Sequence, residues 1–285
     1  MKDITITVLS EAKTSILYNL AKYRFNTVKQ FQRLGVSSQV AHISKTLKVL
    51  RETNLIDRTG FAFTAKIGKM PDLYFLTPKG AKVVAESQRV DIESIQYPKS
   101  SNTLFQHDYL HRITTIDLQI AYDVWANGTF EVEPLFFDTY YHKVGSQRNQ
   151  EETGKLRAKT QIELSDGSHF TPDAICRFTQ KGKDTICCIE VHNGQDTTRL
   201  SNTIKGHLKA ISDNAVQRAY DYKRLNYVLI VCERKEVMRK VIERINENID
   251  LSNKVEKFLL FKTTDQIEPF ADNWLTVSGS IVSVQ

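Results

Sequence analysis

Two acidic residues occupy positions that would bring their side chains face to face. Asp173 opens one apolar run, Glu190 lies near the end of the next, and the turn-forming pair Lys181-Gly182 lies midway between them. Two-residue turns that contain glycine favour tight β-hairpins. A hairpin centred on this pair sets Asp173 opposite Glu190. The sequence therefore predicts two carboxylates on one face of a hairpin.

A divalent metal site is the chemistry that such a pair favours. Like charges opposed across a sheet destabilise it, and an ionised acid within the run Ile-Cys-Cys-Ile-Glu-Val is costly to bury. Mg²⁺ or Mn²⁺ held by Asp173 and Glu190 would remove both costs. His192 shares the face of Glu190 because side chains alternate along a strand. We expect it to position or deprotonate a metal-activated water.

An ordinary structural role for the same residues stays open at this point. Asp173 would then be a strand-entry residue, and Glu190 would lie at a solvent-facing strand end. His192 would begin a turn at Asn193-Gly194. A register shifted by two residues would also separate the two acids.

Further candidate ligands lie at the start of the first helix of the second half of the chain. His107 and His111 have the spacing of a zinc peptidase motif, but Asp108 replaces its glutamate and no third ligand is evident. We expect Asp108 or His107 to contribute to the metal edge of the hairpin. The alternative is an ordinary solvated helical turn.

The remaining candidate nucleophiles are predicted to be structural. Tyr140 and Tyr141 are adjacent in a Phe-rich segment, which favours packing over a nucleophilic role. The cysteines lie in apolar runs without a C-x-x-C pair, so we expect small core residues rather than metal or redox sites. They are Cys176, Cys187, Cys188 and Cys232.

The polar face of a helix near residue 45 is typical of DNA recognition. Four apolar residues at helical spacing predict its buried stripe: Val40, Ile43, Leu47 and Leu50. The residues left outside that stripe are polar or basic: Ser38, Gln39, His42, Lys45 and Lys48. We expect Gln39 and His42 to approach base edges and the lysines to contact phosphates. Lys66 and Lys69 would reach the adjacent backbone.

The elements around this helix predict a winged helix-turn-helix. They are, in order, a helix over residues 11–24, a short helix capped by Thr27 and ended at Gly35, the third helix capped by Ser37 or Ser38, wing strands at 55–58 and 72–77, and a fourth helix opened by Pro78. Caps, turn residues and periodicity agree along this segment. We therefore assign residues 1–90 to one domain.

A second, mixed α/β domain is predicted after a polar linker at residues 91–103. Its predicted elements are a helix at 105–126, strands at 130–138, 160–164, 170–178 and 185–191, a helix at 198–224, a strand at 227–232, a helix at 235–247 and a strand at 257–263. Residues 104–285 form this domain. It contains the acidic hairpin.

Positive charge is concentrated in the first third of the chain. Residues 1–100 hold 16 Lys and Arg against 8 Asp and Glu, whereas the remaining 185 residues hold 23 against 25. A basic first domain favours a phosphate backbone over an anionic membrane, for which no aromatic face is present. The chain has 41% hydrophobic residues and no apolar run of about 18 residues. We expect a cytoplasmic protein without membrane insertion.

The Pro-Asp strand entry, the hairpin and Glu-x-His resemble the PD-(D/E)xK nuclease fold, with Asp173 and Glu190 at its two acidic positions. His192 stands where that pattern usually has lysine, which normally assists the attacking water. The resemblance therefore implies that His192, or Lys205 from the next helix, takes this role, or that the site is inactive.

Together with the winged helix, the pattern resembles the replication-relaxation family of plasmid proteins, which includes relaxases of the MOBC type. The matching segments are residues 47–58, 74–80, 105–108, 171–174 and 189–194. The resemblance spans residues 12–235. It implies recognition of a plasmid origin in replication or conjugation, and nicking of one strand without a tyrosine adduct.

The sequence thus predicts an α/β (α+β overall) protein, an N-terminal winged helix-turn-helix followed by a restriction-endonuclease-like mixed-sheet domain. We expect it to bind double-stranded DNA sequence-specifically and to nick it by Mg²⁺- or Mn²⁺-dependent phosphodiester hydrolysis at a mobile-element origin. Expected partners also include a second copy in a homodimer and other relaxosome or replication proteins. The alternative is a non-catalytic origin-binding or transcriptional regulator whose degenerate nuclease fold serves dimerisation or DNA clamping.

Overall fold

The protein divides into two compact units, Met1–Tyr109 and Leu110–Gln285. The computed structural model describes residues 9–60, 63–64, 68–98, 108–145 and 154–284. Two of the predicted site residues, Lys66 and His107, lie outside the described residues. Within the described ranges, no helix combines the length and the apolar character that crossing a membrane requires.

The first unit has the predicted winged helix-turn-helix order. Its elements are α1 (Glu11–Tyr23), α2 (Val28–Arg33), α3 (Val40–Glu52), β1 (Ile56–Thr59), β2 (Phe63–Thr64), β3 (Gly68–Lys69), β4 (Leu73–Leu76) and α4 (Pro78–Gln88). β1 pairs antiparallel with β4, and β2 pairs antiparallel with β3. The wing is therefore a hairpin that follows the third helix directly.

Local capping determines where two of these helices begin. Thr27 and Gln30 form a capping box, in which each backbone N–H donates to the side chain of the other residue. Thr77 accepts a hydrogen bond from the Gly80 N–H at the start of α4. Pro78 then occupies the first turn, where its missing N–H costs nothing.

The start of α3 differs from the prediction. The helix begins at Val40, with Gln39 as an N-cap residue that makes no side-chain cap bond. Ser37 Oγ instead accepts a hydrogen bond from the Gln39 N–H, before the helix begins. Val40 is 46% exposed because it lies in the first turn, at the end of the helix, so the predicted core stripe contains only the other three apolar residues.

The core of the first unit extends past the predicted domain end. Its buried residues are Ile16, Leu17, Leu20, Phe31, Ile43, Leu47, Leu50, Leu55, Ile56, Leu76, Ala81, Val84, Ala85 and Ile95. Ile95 belongs to the segment predicted as a linker, and it follows a 3₁₀ turn at Ile92–Ser94. This part of the segment therefore packs as a piece of the first unit.

Gly80 allows α4 to pack closely against the short link between α3 and β1. A Cβ atom at this position would overlap the carbonyl oxygen of Leu55, which is backbone and cannot rotate away. We expect Gly80→Ala to destabilise the first unit by about 1–3 kcal/mol, the usual cost of overpacking. Gly60→Ala is the control in the same unit, because its Cβ would meet only the Asp72 side chain at 3.4 Å. Urea denaturation measures both, and equal stabilities would contradict the expectation.

The second unit is built on a seven-stranded mixed sheet. Its helices are α5 (Tyr109–Gly128), α6 (Thr197–Ser212), α7 (Ala215–Tyr220), α8 (Lys235–Asn246) and α9 (Ile249–Val255). Its strands are β5 (Val132–Thr139), β6 (Lys143–Val144), β7 (Arg157–Ala158), β8 (Ile162–Glu163), β9 (His169–Phe170), β10 (Ala174–Gln180), β11 (Lys183–His192), β12 (Tyr227–Cys232), β13 (Leu259–Thr263), β14 (Trp274–Leu275) and β15 (Ile281–Val282).

The large sheet has the strand order β15-β14-β13-β12-β11-β10-β5. β10 is antiparallel to both β5 and β11, whereas β11, β12 and β13 run parallel to one another. The parallel connections carry α6 and α8, as βαβ crossovers require. The mixed sheet predicted for this domain is confirmed.

The interior of the second unit is more aromatic than the sequence pattern of α5 predicted. Tyr122 and Trp125 of α5 pack against Phe178 and Phe270, with ring centroids 4.9–6.3 Å apart. Val124 has helical spacing with Ile116 and Ile120, which predicts a buried side chain, but it is 48% exposed. The four cysteines are free and buried, in agreement with their predicted packing role.

The long helix predicted over residues 198–224 is two helices. Asn214 has a positive φ of 52° between α6 and α7, which an α-helix cannot contain. Asn is one of the few residues that adopt this conformation at low cost. Asp213, the C-cap residue of α6, still has αR backbone angles, so the break occurs at Asn214.

Candidate functional site

The acidic hairpin has the predicted register. Ala174 pairs with Ile189, and Lys181 and Gly182 at the turn have φ values of 51° and 75°, as a type I′ turn requires. Asp173 directly precedes the paired residues of β10, so the register places it beside Glu190. The Val191 N–H donates to Asp173 Oδ2 at 2.8 Å. A backbone donor thus orients this carboxylate.

Helix α5 brings an imidazole to the same carboxylate. His111 Nε2 lies 2.9 Å from Asp173 Oδ2. The other ring nitrogen, Nδ1, lies 3.0 Å from the hydroxyl of Tyr140. The side chains of Asp173 and His111 are 15% and 17% exposed. The three residues form a hydrogen-bonded chain whose members retain contact with solvent.

Glu190 is the buried member of the acid pair. Burial is the largest cause that raises the pKa of its carboxyl well above the usual range, followed by the negative charge of Asp173 and a hydrogen bond with it. Glu190 Oε1 lies 2.8 Å from His207 Nε2, on α6. Burial lowers the pKa of His207 to about 3, so this imidazole is neutral near pH 7.

One protonation pattern satisfies all these contacts. A neutral His207 donates its Nε2–H to Glu190, and a protonated Glu190 donates to the carboxylate of Asp173. Asp173 then accepts from Glu190, from the Val191 N–H and from His111. The raised pKa of Glu190 is the behaviour expected of one of two carboxyl groups that lie close together with little solvent around them.

His192 occupies the same face of β11 as Glu190. Its side chain is buried, and among the described residues Nε2 has no hydrogen-bond partner. Burial is the main cause that lowers the pKa of His192, and the positive charge of Arg199 adds to it. A neutral imidazole can accept a proton, which is what the predicted role in water activation requires.

Arg199 is a cation at the exposed side of the site. It lies exposed in the first turn of α6. Its positive charge adds to the lowering of the His192 pKa and partly offsets the increase in the Glu190 pKa. A guanidinium group near Glu190 and the unpartnered imidazole of His192 is suited to a phosphate oxygen. The sequence pattern did not identify Arg199.

The remaining predicted residues do not join this cluster. Lys205 is exposed on α6, two residues before the buried His207. Since two residues correspond to about 200° around a helix, Lys205 lies on the face opposite to the one that contacts Glu190. Asp108 is partly exposed in the turn before α5. His111, one turn after His107 in sequence, is the residue of α5 that contacts Asp173.

The sequence contained partial signals for the missed histidines. His207 continues the spacing of Leu200 and Ile204, so it is a titratable residue within an apolar stripe. Such a residue needs a buried partner. His111 was recognised in a spacing motif but not as a partner of Asp173. Nothing local identifies the partner in either case.

The acid pair suits a metal ion that keeps part of its water shell. Among the described residues, no group of three or more His, Cys, Asp or Glu side chains is arranged to hold a metal. Asp108 therefore does not complete a ligand set there. Mg²⁺ commonly takes only one or two carboxylates and completes its shell with water and phosphate oxygens. Asp173 and Glu190 fit that type of site and not a zinc site closed by protein ligands.

The pH dependence of stability provides a test of the protonated Glu190. Because its folded-state pKa is raised, the folded protein keeps a proton that the unfolded chain loses near pH 4.5. This contribution to stability is complete below that pH and is lost as pH rises through the folded-state pKa. Glu190→Gln keeps one donor and one acceptor but has no charge to bury.

We therefore expect the wild-type free energy of unfolding to fall relative to that of Glu190→Gln as pH rises above 4.5, until Glu190 loses its proton in the folded protein. The slope for one proton is at most about 1.4 kcal/mol per pH unit. Urea denaturation in EDTA measures it. Above pH 7, the histidines with lowered pKa values are neutral in both folded and unfolded chains, so they do not contribute. Parallel curves for the two proteins would contradict a protonated Glu190.

The first unit has a separate candidate site, the exposed face of α3. All five predicted recognition residues are exposed at the start or on the outer face of α3: Ser38, Gln39, His42, Lys45 and Lys48. Ile43, Leu47 and Leu50 are buried on the opposite face. Lys69, at the wing, is exposed as well. A polar, basic face without buried partners is what a recognition helix presents to a DNA groove.

Comparison with known proteins adds little to this description. No protein-family model matches the chain, and no curated protein matches it. A solved structure of a mutant form of Lactococcus lactis ZitR aligns with 43% of this chain and 78% of its own, at 20% sequence identity and a TM-score of 0.24. A similarity at that level carries no argument about fold or function. The winged helix of this chain is therefore assigned from its own helices, strands and pairing.

Proposed function

We propose that the first unit binds double-stranded DNA. The observation that carries this proposal is the exposed polar and basic face of α3, which lies over a buried apolar stripe and is followed by the wing. Gln39 and His42 would contact base edges, and Lys45 and Lys48 would contact phosphates. The excess of Lys and Arg in the first 100 residues supports the same proposal.

Fluorescence anisotropy with a duplex from the DNA that flanks its own coding sequence tests this proposal. We expect affinity that falls steeply with salt, as phosphate contacts require, and a preference for the flanking duplex over a scrambled duplex. Equal affinity for both duplexes would leave only non-specific binding. No binding at about 50 mM salt would contradict the proposal.

We also propose that the second unit cleaves a phosphodiester bond in the bound DNA, with Mg²⁺ or Mn²⁺, and nicks one strand at a mobile-element origin. The strand register that places Asp173 beside Glu190 carries this proposal, and the raised pKa of Glu190 agrees with it. A bound divalent ion would supply Lewis-acid stabilisation of the charged phosphate. His192 would accept a proton from water, and Arg199 would bind a phosphate oxygen.

A regulator without catalytic activity is the alternative, and one observation favours it. Both acids already have imidazole partners, His111 and His207, so the network satisfies its own polar groups. Satisfied buried networks often specify a fold. In that case the second unit would serve for dimerisation or for clamping DNA.

A plasmid assay distinguishes the two functions. The protein is incubated with supercoiled plasmid that carries its flanking DNA, with Mg²⁺, with Mn²⁺ or with EDTA. We expect conversion to open circle with either metal and none with EDTA. Glu190→Gln should fold and bind DNA but not nick it, because an amide is a poor ligand for these ions. Sequence-specific DNA binding without nicking in either metal would contradict the nicking proposal and support the non-catalytic regulator.

A further inference from the structure

Tyr140 is a partly exposed member of the hydrogen-bonded chain in the second unit. Its hydroxyl lies 3.0 Å from His111 Nδ1, and His111 Nε2 lies 2.9 Å from Asp173 Oδ2. The hydroxyl, the imidazole and the carboxylate thus have the order nucleophile, base and orienting acid. This order recurs on unrelated folds and is recognised by its geometry.

The backbone holds these groups in place. The Tyr140 N–H donates to the carbonyl oxygen of Asp173 at 2.9 Å, and the Val191 N–H fixes the carboxylate of Asp173. The rings of Tyr140 and His111 lie 5.1 Å apart at 58°. Tyr140 is partly exposed, whereas its neighbour Tyr141 is 5% exposed. Tyr141 has the packing role predicted for both tyrosines, and Tyr140 combines ring packing with its hydrogen bond to His111.

The direction of the hydrogen bonds suits proton transfer. Asp173 is an acceptor, so the His111 proton belongs on Nε2, which faces the carboxylate. Nδ1 then carries a lone pair and accepts from the Tyr140 hydroxyl. A neutral imidazole in this tautomer can remove the phenolic proton during attack.

We propose that Tyr140 is the nucleophile that attacks the scissile phosphate, with His111 as its base and Asp173 orienting His111. This inference rests on the proposed phosphodiester cleavage and names its first step. The Tyr140 oxygen–phosphorus bond forms as the bond from phosphorus to the leaving sugar oxygen breaks. The phenolic proton passes to His111 Nδ1, and the leaving sugar oxygen takes up a proton from solvent water.

Water completes the reaction in a second step. A water oxygen–phosphorus bond forms and the Tyr140 oxygen–phosphorus bond breaks, so the net reaction is hydrolysis. The phenolate recovers a proton from His111, and the attacking water gives its proton to His192, which returns it to solvent. The tyrosyl phosphodiester is thus a transient covalent intermediate, in contrast to the direct hydrolysis that the family resemblance implies.

The covalent intermediate can be detected directly. The full-length protein is mixed with supercoiled plasmid carrying its flanking DNA and Mn²⁺, and quenched in SDS at short times. After nuclease digestion, mass spectrometry identifies a nucleotide on the peptide that contains Tyr140. The 4-nitrophenyl esters of thymidine 5′-phosphate and thymidine 3′-phosphate provide a second probe. We expect one of them to release a burst of about one equivalent of nitrophenolate.

Variants assign the intermediate to one residue. Tyr140→Phe should abolish the adduct and the burst, and His111→Ala should reduce the rate of adduct formation by about 10²–10⁴-fold. Tyr141→Phe, at the adjacent buried tyrosine, should retain both. Circular dichroism and DNA affinity check that each variant is folded.

The outcomes separate this inference from the proposed function. Nicking without an adduct or burst, or an adduct that persists in Tyr140→Phe, would overturn Tyr140 as the nucleophile and leave phosphodiester cleavage intact. Absence of nicking, adduct and burst with both esters would overturn both proposals. An adduct confined to Tyr140 would establish the covalent step.

Discussion

Asp173→Asn is expected to reduce DNA nicking by about 10²–10⁴-fold while DNA affinity changes less than about twofold. The substitution keeps the size of the side chain and its bond from the Val191 N–H. It removes the negative charge that faces His111 and that would help to bind the metal. An amide can also present N–H to His111, which would favour the wrong tautomer for accepting the Tyr140 proton.

Plasmid nicking in Mn²⁺ gives the rate for this comparison, and fluorescence anisotropy gives the affinity. Asp265→Asn is the control, since this exposed acid follows β13 in the same unit. It should nick at the wild-type rate. Retention of nicking in Asp173→Asn would exclude the acid pair as the catalytic site. A parallel loss of affinity would instead indicate that Asp173 supports the fold or the DNA-binding surface.

Replacement of Lys45 and Lys48 together by alanine should weaken DNA binding by about 10- to 100-fold at ~0.1 M salt. Both lysines are exposed on α3, and each phosphate contact adds close to one unit to the slope of log affinity against log salt. The slope should therefore fall by about two. Lys48 lies 3.9 Å from Glu52, but both side chains are well exposed, so the pair offers little competition.

Lys22→Ala with Lys82→Ala is the matched control in the first unit. Both lysines are exposed on other helices, the change in net charge is identical, and Lys82 pairs with Glu86 at 3.8 Å much as Lys48 pairs with Glu52. We expect a change of less than about threefold. Equal losses in the two double variants would show that net charge, and not the α3 face, determines affinity.

Several features could be predicted because neighbouring residues determine them. The Lys181-Gly182 turn allows one hairpin register, since both residues adopt positive φ values and the flanking strands follow from that turn. The Thr27 cap depends only on Gln30, three residues later. The wing strands are likewise close in sequence. In each case the interaction spans few residues, so a local pattern contains it.

The wrong predictions concern how far a helix is covered by neighbouring elements and where it ends. Helical spacing assigned Val40 and Val124 to buried stripes, but both are largely exposed, at 46% and 48%. Periodicity identifies a face of a helix and does not reveal how far the neighbouring layer extends along it. The break at Asn214 was missed for a related reason, because residues on both sides of it have helical spacing.

Local patterns in the sequence predict the winged helix, the mixed sheet and the facing of Asp173 and Glu190. The groups that surround those acids follow only from tertiary packing. His111 and Asp173 are 62 residues apart, and His207 and Glu190 are 17 apart on different elements. Their contacts depend on how α5 and α6 pack on the sheet, through many apolar contacts that no local motif encodes. The tyrosine–histidine–aspartate chain therefore becomes visible only in three dimensions.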